Sequence, residues 1–210
     1  MNFEELTECI LNDDLKMFKS NTKKKDYEKI FRYHVYNFLR APKIKCLKEI
    51  SKHYDISTYK DSDGVFTLLS YAAQHLDSTI INFLIEKNFD VNVINEHGST
   101  ILHDYFSGYY NDNSSLVENI LSHDFDVTRK DENGNTVLHI FAQNFSRKSE
   151  ESYEHIFNLL VNAGCNMFAE NNEGDTPLIS IARMYDDEGG TVEELKFFDR
   201  LVRNHLKKKI

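Results

Sequence analysis

The sequence predicts an all-α protein built from repeated helix–turn–helix units. Three observations carry this expectation. No stretch alternates apolar and polar residues as a half-buried strand would. Several stretches place apolar residues at helical spacing, and one short pattern returns along the chain in phase.

The pattern is clearest in DENGNTVLHIFA, Asp131 to Ala142, an acidic turn with a glycine, then Thr136-Val137-Leu138-His139. Thr100-Ile101-Leu102-His103 and Thr176-Pro177-Leu178-Ile179 are counterparts, and Thr67-Leu68-Leu69-Ser70, followed by Ala72-Ala73, is a weaker one. The four threonines are separated by 33, 36 and 40 residues, and each follows a glycine closely: Gly64, Gly98, Gly134 and Gly174. A second landmark keeps the same phase in FLIEKNFDVNV, ILSHDFDVTRK and LLVNAGCNMFA.

Local chemistry supports each piece. Asn133-Gly134 and Glu173-Gly174 are turn dipeptides able to take positive φ. Threonine at the start of the next helix accepts from otherwise orphaned backbone N–H groups. VENILS and HIFNLLVNAG carry apolar residues at helical spacing, the second closing on Gly164. The N-terminal part is less regular. FEELTECILNDDLKMFKSN reads as two short helices around Asn12-Asp13-Asp14. EKIFRYHVYNFLRAP reads as one helix, and Tyr54-Asp55-Ile56-Ser57 echoes Phe89-Asp90-Val91-Asn92. TVEELKFFDRLVRNHLKKKI is amphipathic, with a polar outer side that suits a terminal cap.

A period near 33 with a T-P-L-H segment, an amphipathic helix and a G-A-D-V-N-like turn resembles the ankyrin repeat. The resemblance implies an all-α solenoid in one domain, 1–210, with about six repeats: 3–24 as a cap, 25–60, 61–94, 95–130, 131–170, and 171–206 as a cap. It implies that His103 and His139 hydrogen-bond backbone beside the tight turn and serve structure. The family's paired small residues are here Tyr105-Phe106 and Phe141-Ala142, so aromatics should push neighbouring helices apart or turn outward. The same two repeats carry extra residues between their helices. Either longer turns and larger side chains compensate one another, or Tyr109, Tyr110 and Phe145 form an aromatic contact patch.

Composition narrows the chemistry. A formal charge of −9 over 210 residues disfavours a broad nucleic-acid or anionic-membrane surface, since both need clustered positive charge. The basic runs Lys23–Lys25 and Lys207–Lys209 read as solvated ends. Cys9, Cys46 and Cys165 are isolated and odd in number, which fits a reducing compartment and offers no metal-ligand spacing. The acidic N-terminus lacks the pattern of a signal peptide, and no window reaches the ~20 apolar residues of a membrane span. A cytoplasmic protein is expected, in its own cell or delivered to a host cell without a classical signal peptide.

No nucleophile–base pair or glycine-rich phosphate loop is present. Asp186-Asp187-Glu188 read as a solvated loop without calcium-loop spacing, and Glu150-Glu151 as part of an insertion with no facing acid. No catalytic, cofactor-binding or metal-binding residue is expected. What the resemblance implies is a protein-binding face of hairpin tips and first helices. Carried over by position, that face comprises Asp61, Asp63, Phe66, Glu96, His97, Ser99, Ser107, Glu132, Asn133, Asn135, Gln143, Glu173, Asp175 and Arg183. It is mostly acidic, so the expected partner is a protein with a basic surface, bound by a monomer. The leading expectation is a stand-alone adaptor or inhibitor, similar to the small ankyrin proteins of intracellular bacteria or large DNA viruses. Alternatives are an immunity protein masking a basic toxin, or an enzyme whose site is built on the inter-helix insertions.

Overall fold

The structure is a computed structural model of the chain, describing residues 3–41, 44–59, 68–74, 78–108, 113–143, 150–188 and 192–207. The described residues form twelve α-helices and two short 3-10 segments, with no strand and a single antiparallel bridge, Lys130 to Thr136. Contacts divide the chain into two compact units, Met1–Asp61 and Ser62–Ile210.

The first unit contains two helical hairpins. Helices α1 (Phe3–Leu11) and α2 (Leu15–Asn21) form one, and α3 (Tyr27–Arg40) and α4 (Lys45–Ser51) the other. Glu4 and Glu5 lie in the first turn of α1, where the helix dipole favours negative charge. The Asp14 side chain caps α2 by accepting from the Met17 N–H at 2.9 Å. The neighbouring Asp13 has a longer reach. Left-handed at φ 51 and buried, it accepts from the backbone N–H groups of Lys45 (2.9 Å) and Cys46 (2.8 Å). It therefore caps α4, whose own preceding residue, Ile44, is left-handed and supplies no side-chain cap. Phe18, Phe31 and Phe38 are fully buried, with Phe38 meeting Phe18 edge-on and Phe31 at a tilt.

In the second unit the eight helices among the described residues lie in two rows. The first helices, α5 (Leu68–Gln74), α7 (Ile101–Ser107), α9 (Val137–Gln143) and α11 (Pro177–Glu188), pack each on the next. The second helices, α6 (Ser78–Glu86), α8 (Ser114–Leu121), α10 (Glu150–Asn162) and α12 (Val192–Lys207), form a parallel row in the same way. Each hairpin has one apolar stripe per helix, as a stacked two-layer core needs.

Three sequence expectations change here. Tyr105, Phe106 and Phe141 turn inward and are buried. Phe106 meets Phe141 edge-on at 5.1 Å, and Phe141 stacks on Tyr153 at 4.1 Å. The Tyr153 hydroxyl donates to the Phe141 carbonyl at 3.1 Å. The aromatics thus fill the space between rows, since a core of native density tolerates volume exchanged between neighbours. Glu150 and Glu151 lie in the first turn of α10, and Glu150 pairs with Arg200 of α12 at 2.8 Å. Asp186, Asp187 and Glu188 complete the last turns of α11 and are not a loop. Tyr109, Tyr110 and Phe145 lie outside the described residues.

Candidate functional site

Residues 95–99, 131–135 and 171–175 make three tips of the same geometry. In each, the first side-chain oxygen accepts two backbone N–H groups. Asn95 accepts from His97 (2.9 Å) and Ser99 (3.0 Å), Asp131 from Asn133 (3.0 Å) and Asn135 (2.8 Å), Asn171 from Glu173 and Asp175 (both 3.0 Å). An Asn or Asp is needed because only a short side chain with an acceptor oxygen can fold back onto its own turn. The tips are joined in register: Glu132 N–H donates to the His97 carbonyl at 2.8 Å, and Asn172 N–H to the Asn133 carbonyl at 3.0 Å.

Behind each of the first two junctions sits a buried histidine. Thr100 N–H donates to His103 Nδ1 (3.2 Å) and Thr136 N–H to His139 Nδ1 (3.1 Å), so each ring carries its hydrogen on Nε2. His103 Nε2 then donates to the Asn135 carbonyl at 3.1 Å, and His139 Nε2 to the Asp175 carbonyl at 2.9 Å. Burial lowers the pKa of both imidazoles and outweighs the carbonyl acceptors that raise it. Both rings are neutral struts between successive hairpins, the role expected from sequence. Ile179 holds the same position on α11 and is exposed.

The expected contact residues separate into classes. Glu96, His97, Glu132, Asn133, Glu173, Arg183 and Ser107 are exposed, while Ser99 and Gln143 are half-buried. Asn135 and Asp175 are buried, stitched to the next hairpin: Asn171 Nδ2 donates to Asn135 Oδ1 at 3.0 Å, and Arg183 reaches Asp175 at 2.9 Å. Asp61, Asp63 and Phe66 lie outside the described residues. The acids are not all unpaired. His97 lies 3.5 Å from Glu96 and 3.0 Å from Glu132, and Arg183 also holds Glu173 at 2.8 Å. Exposed pairs of this kind are worth little in stability, about 0–1 kcal/mol each, but they fix where charge is presented. Sequence spacing aligned the acids and gave no sign that Arg183 reaches back ten residues to close them.

Among the described residues no group of three or more His, Cys, Asp or Glu side chains could hold a metal ion, and no helix is long and apolar enough to cross a membrane. No protein-family model matches the chain, and no curated protein matches it.

Proposed function

We propose that the chain is an ankyrin-repeat array that captures one protein partner on the edge formed by its hairpin tips and first helices. The observation that carries this reading is the in-register row of three tips, held by His103 and His139 and presenting Glu96, His97, Glu132, Asn133 and Glu173 to solvent. A stiff, repeated edge suits recognition of a surface. Its acids favour a partner with a basic face, and acids a repeat apart lie within about one Debye length at physiological salt, so their fields overlap. Charge of this kind speeds association more than it deepens affinity. Arg183 and His97 divide the row into an outer pair of acids around His97 and a clamped pair at the last tip. The reading places the protein in a host or native cytoplasm as a non-catalytic adaptor or inhibitor.

The test is affinity capture from eukaryotic cell lysate by the parent chain and by a folded variant carrying Glu96→Lys, Glu132→Lys and Glu173→Lys. The partner recovered should be basic at its contact face. Its association with the variant should be slower at low salt, the difference shrinking as salt rises. Equal association rates at low salt would remove the tips from the binding face.

A further inference from the structure

The first unit has a surface that the tip-based reading does not use. Residues 1–61 carry thirteen Lys and Arg against ten Asp and Glu, while residues 62–210 carry twelve against twenty-four. The acidic character of the chain therefore belongs to the second unit, and the first is net basic.

Between α1 and α3 of that basic unit runs a cleft of about 310 Å³, walled by Phe3, Leu6, Ile30 and Tyr33, with Lys29 at its side and His34 among its lining residues. It continues past Leu6 and Ile30 into a second cleft of about 280 Å³ edged by Lys23 and Lys25, with Asp26 the acid lining it. One end is thus aromatic and the other cationic. Phe3 and Tyr33 are 63% and 68% exposed, unusually open for side chains of their size. The other acids of α1, Glu4, Glu5 and Glu8, fall by helical spacing on the side away from Phe3 and Leu6.

His34 brings a ring nitrogen to the lining of the cleft. It is 2% exposed and sits where α3 departs from helical geometry, at φ −120 and ψ 16. Asn37 Nδ2 lies 3.2 Å from its Nδ1. An amide nitrogen only donates, so Nδ1 accepts and the ring hydrogen is on Nε2. That Nε2–H has no hydrogen-bond acceptor among the described residues, although its ring lines the cleft. A ligand oxygen entering the cleft could accept from this Nε2–H.

We infer that the α1/α3 cleft is a docking site for an acidic peptide segment of a partner protein, one bulky apolar side chain seated between Phe3 and Tyr33. A carbonyl or carboxylate oxygen would accept from His34 Nε2, and flanking acids would lie along Lys23, Lys25 and Lys29. Aromatic anchors rimmed by cations are the composition of protein-binding hot spots. The site is independent of the hairpin tips and would take a partner of the opposite charge.

The experiment is panning of a phage-displayed random dodecapeptide library on the immobilised full chain. Peptides recovered should place Phe, Trp or Leu among several Asp or Glu. Synthetic copies should bind the parent about tenfold or more tighter than a Tyr33→Ala variant and a Lys23→Glu, Lys25→Glu variant, the usual scale of losing a hot-spot contact. Both variants change exposed residues, and circular dichroism confirms their folding. A His34→Gln variant should weaken the same peptides. Recovery of no peptide, of peptides lacking this pattern, or of peptides indifferent to the substitutions would overturn the inference. So would a fluorescein-labelled oligo(dT) dodecamer that bound through Tyr33 and Lys25 more tightly than any recovered peptide, which would make the cleft a nucleic-acid groove.

Discussion

His139 Nε2 donates to the main-chain carbonyl of Asp175, 2.9 Å away and 36 residues along the chain. Together with His103 and Asn135 it makes a relay in which each hairpin positions the next. Removing it is expected to cost stability and leave the exposed surface intact. His139→Ala should lose about 1–2 kcal/mol, the scale of leaving the buried Asp175 carbonyl and Thr136 N–H without partners. Urea denaturation reads the loss. Partner binding below the unfolding temperature should survive; its disappearance in a folded variant would show that the ring acts directly.

The same two imidazoles set a pH dependence. Their pKa values are lowered from 6.5 in the folded state, chiefly by burial. The unfolded chain therefore binds protons first as pH falls. The stability that the neutral rings contribute is fully present above about pH 6.5 and is lost progressively below it. The melting temperature should fall between pH 7 and pH 5. A His103→Gln, His139→Gln variant, less stable at pH 7, should show a flatter profile, and an unchanged slope would place the dependence elsewhere.

Two turn glycines should respond differently to alanine. Gly134, at φ +76, leaves no room for a Cβ: one built there meets the Asn172 backbone nitrogen at 2.7 Å as well as its side-chain oxygen. Gly174, at φ +79, would meet nothing within 4 Å. Gly174→Ala should cost only the left-handed backbone penalty, about 1–2 kcal/mol. Gly134→Ala adds a clash that must separate two tips, and about 3 kcal/mol or more is expected. Equal losses in thermal unfolding would mean that the tips are not in contact.

The three thiols should be inert in the native protein. Cys9, Cys46 and Cys165 are all buried, and burial pushes the Cys165 thiol up to about 12. Since thiolate is the reactive form, a thiol reagent at pH 8 should label them only after denaturant is added. Rapid labelling of Cys165 under native conditions would reveal opening between the hairpins of α8 and α10.

Much of the second unit was legible in the sequence because its determinants are local. The turn glycines Gly98, Gly134 and Gly174 and the Thr–His pairs each act within a few residues, so their spacing alone announces them, whereas the acceptor roles of Asn95, Asp131 and Asn171 emerge from the structure. The helices of the first unit were legible for the same reason, through apolar periodicity and the Asn12–Asp14 break. The inward turn of Tyr105, Phe106 and Phe141 was not, because it depends on contacts between rings on different helices, Phe106 with Phe141 and Phe141 with Tyr153.

By itself, then, the sequence determined where the chain turns, which stretches become helices, and that a tight turn recurs in phase with a histidine behind it. These follow from backbone preference and hydrogen bonds that close within a few residues. Which charges remain open depends on long-range packing. Arg183 clamps Asp175 and Glu173, Arg200 takes Glu150 from 50 residues away, and Asp13 caps a helix that begins 32 residues later. That packing also decided that Phe3, Tyr33 and His34 would border one cleft. Those outcomes depend on how elements distant in the chain are placed against one another, and residue spacing within one element does not encode that placement.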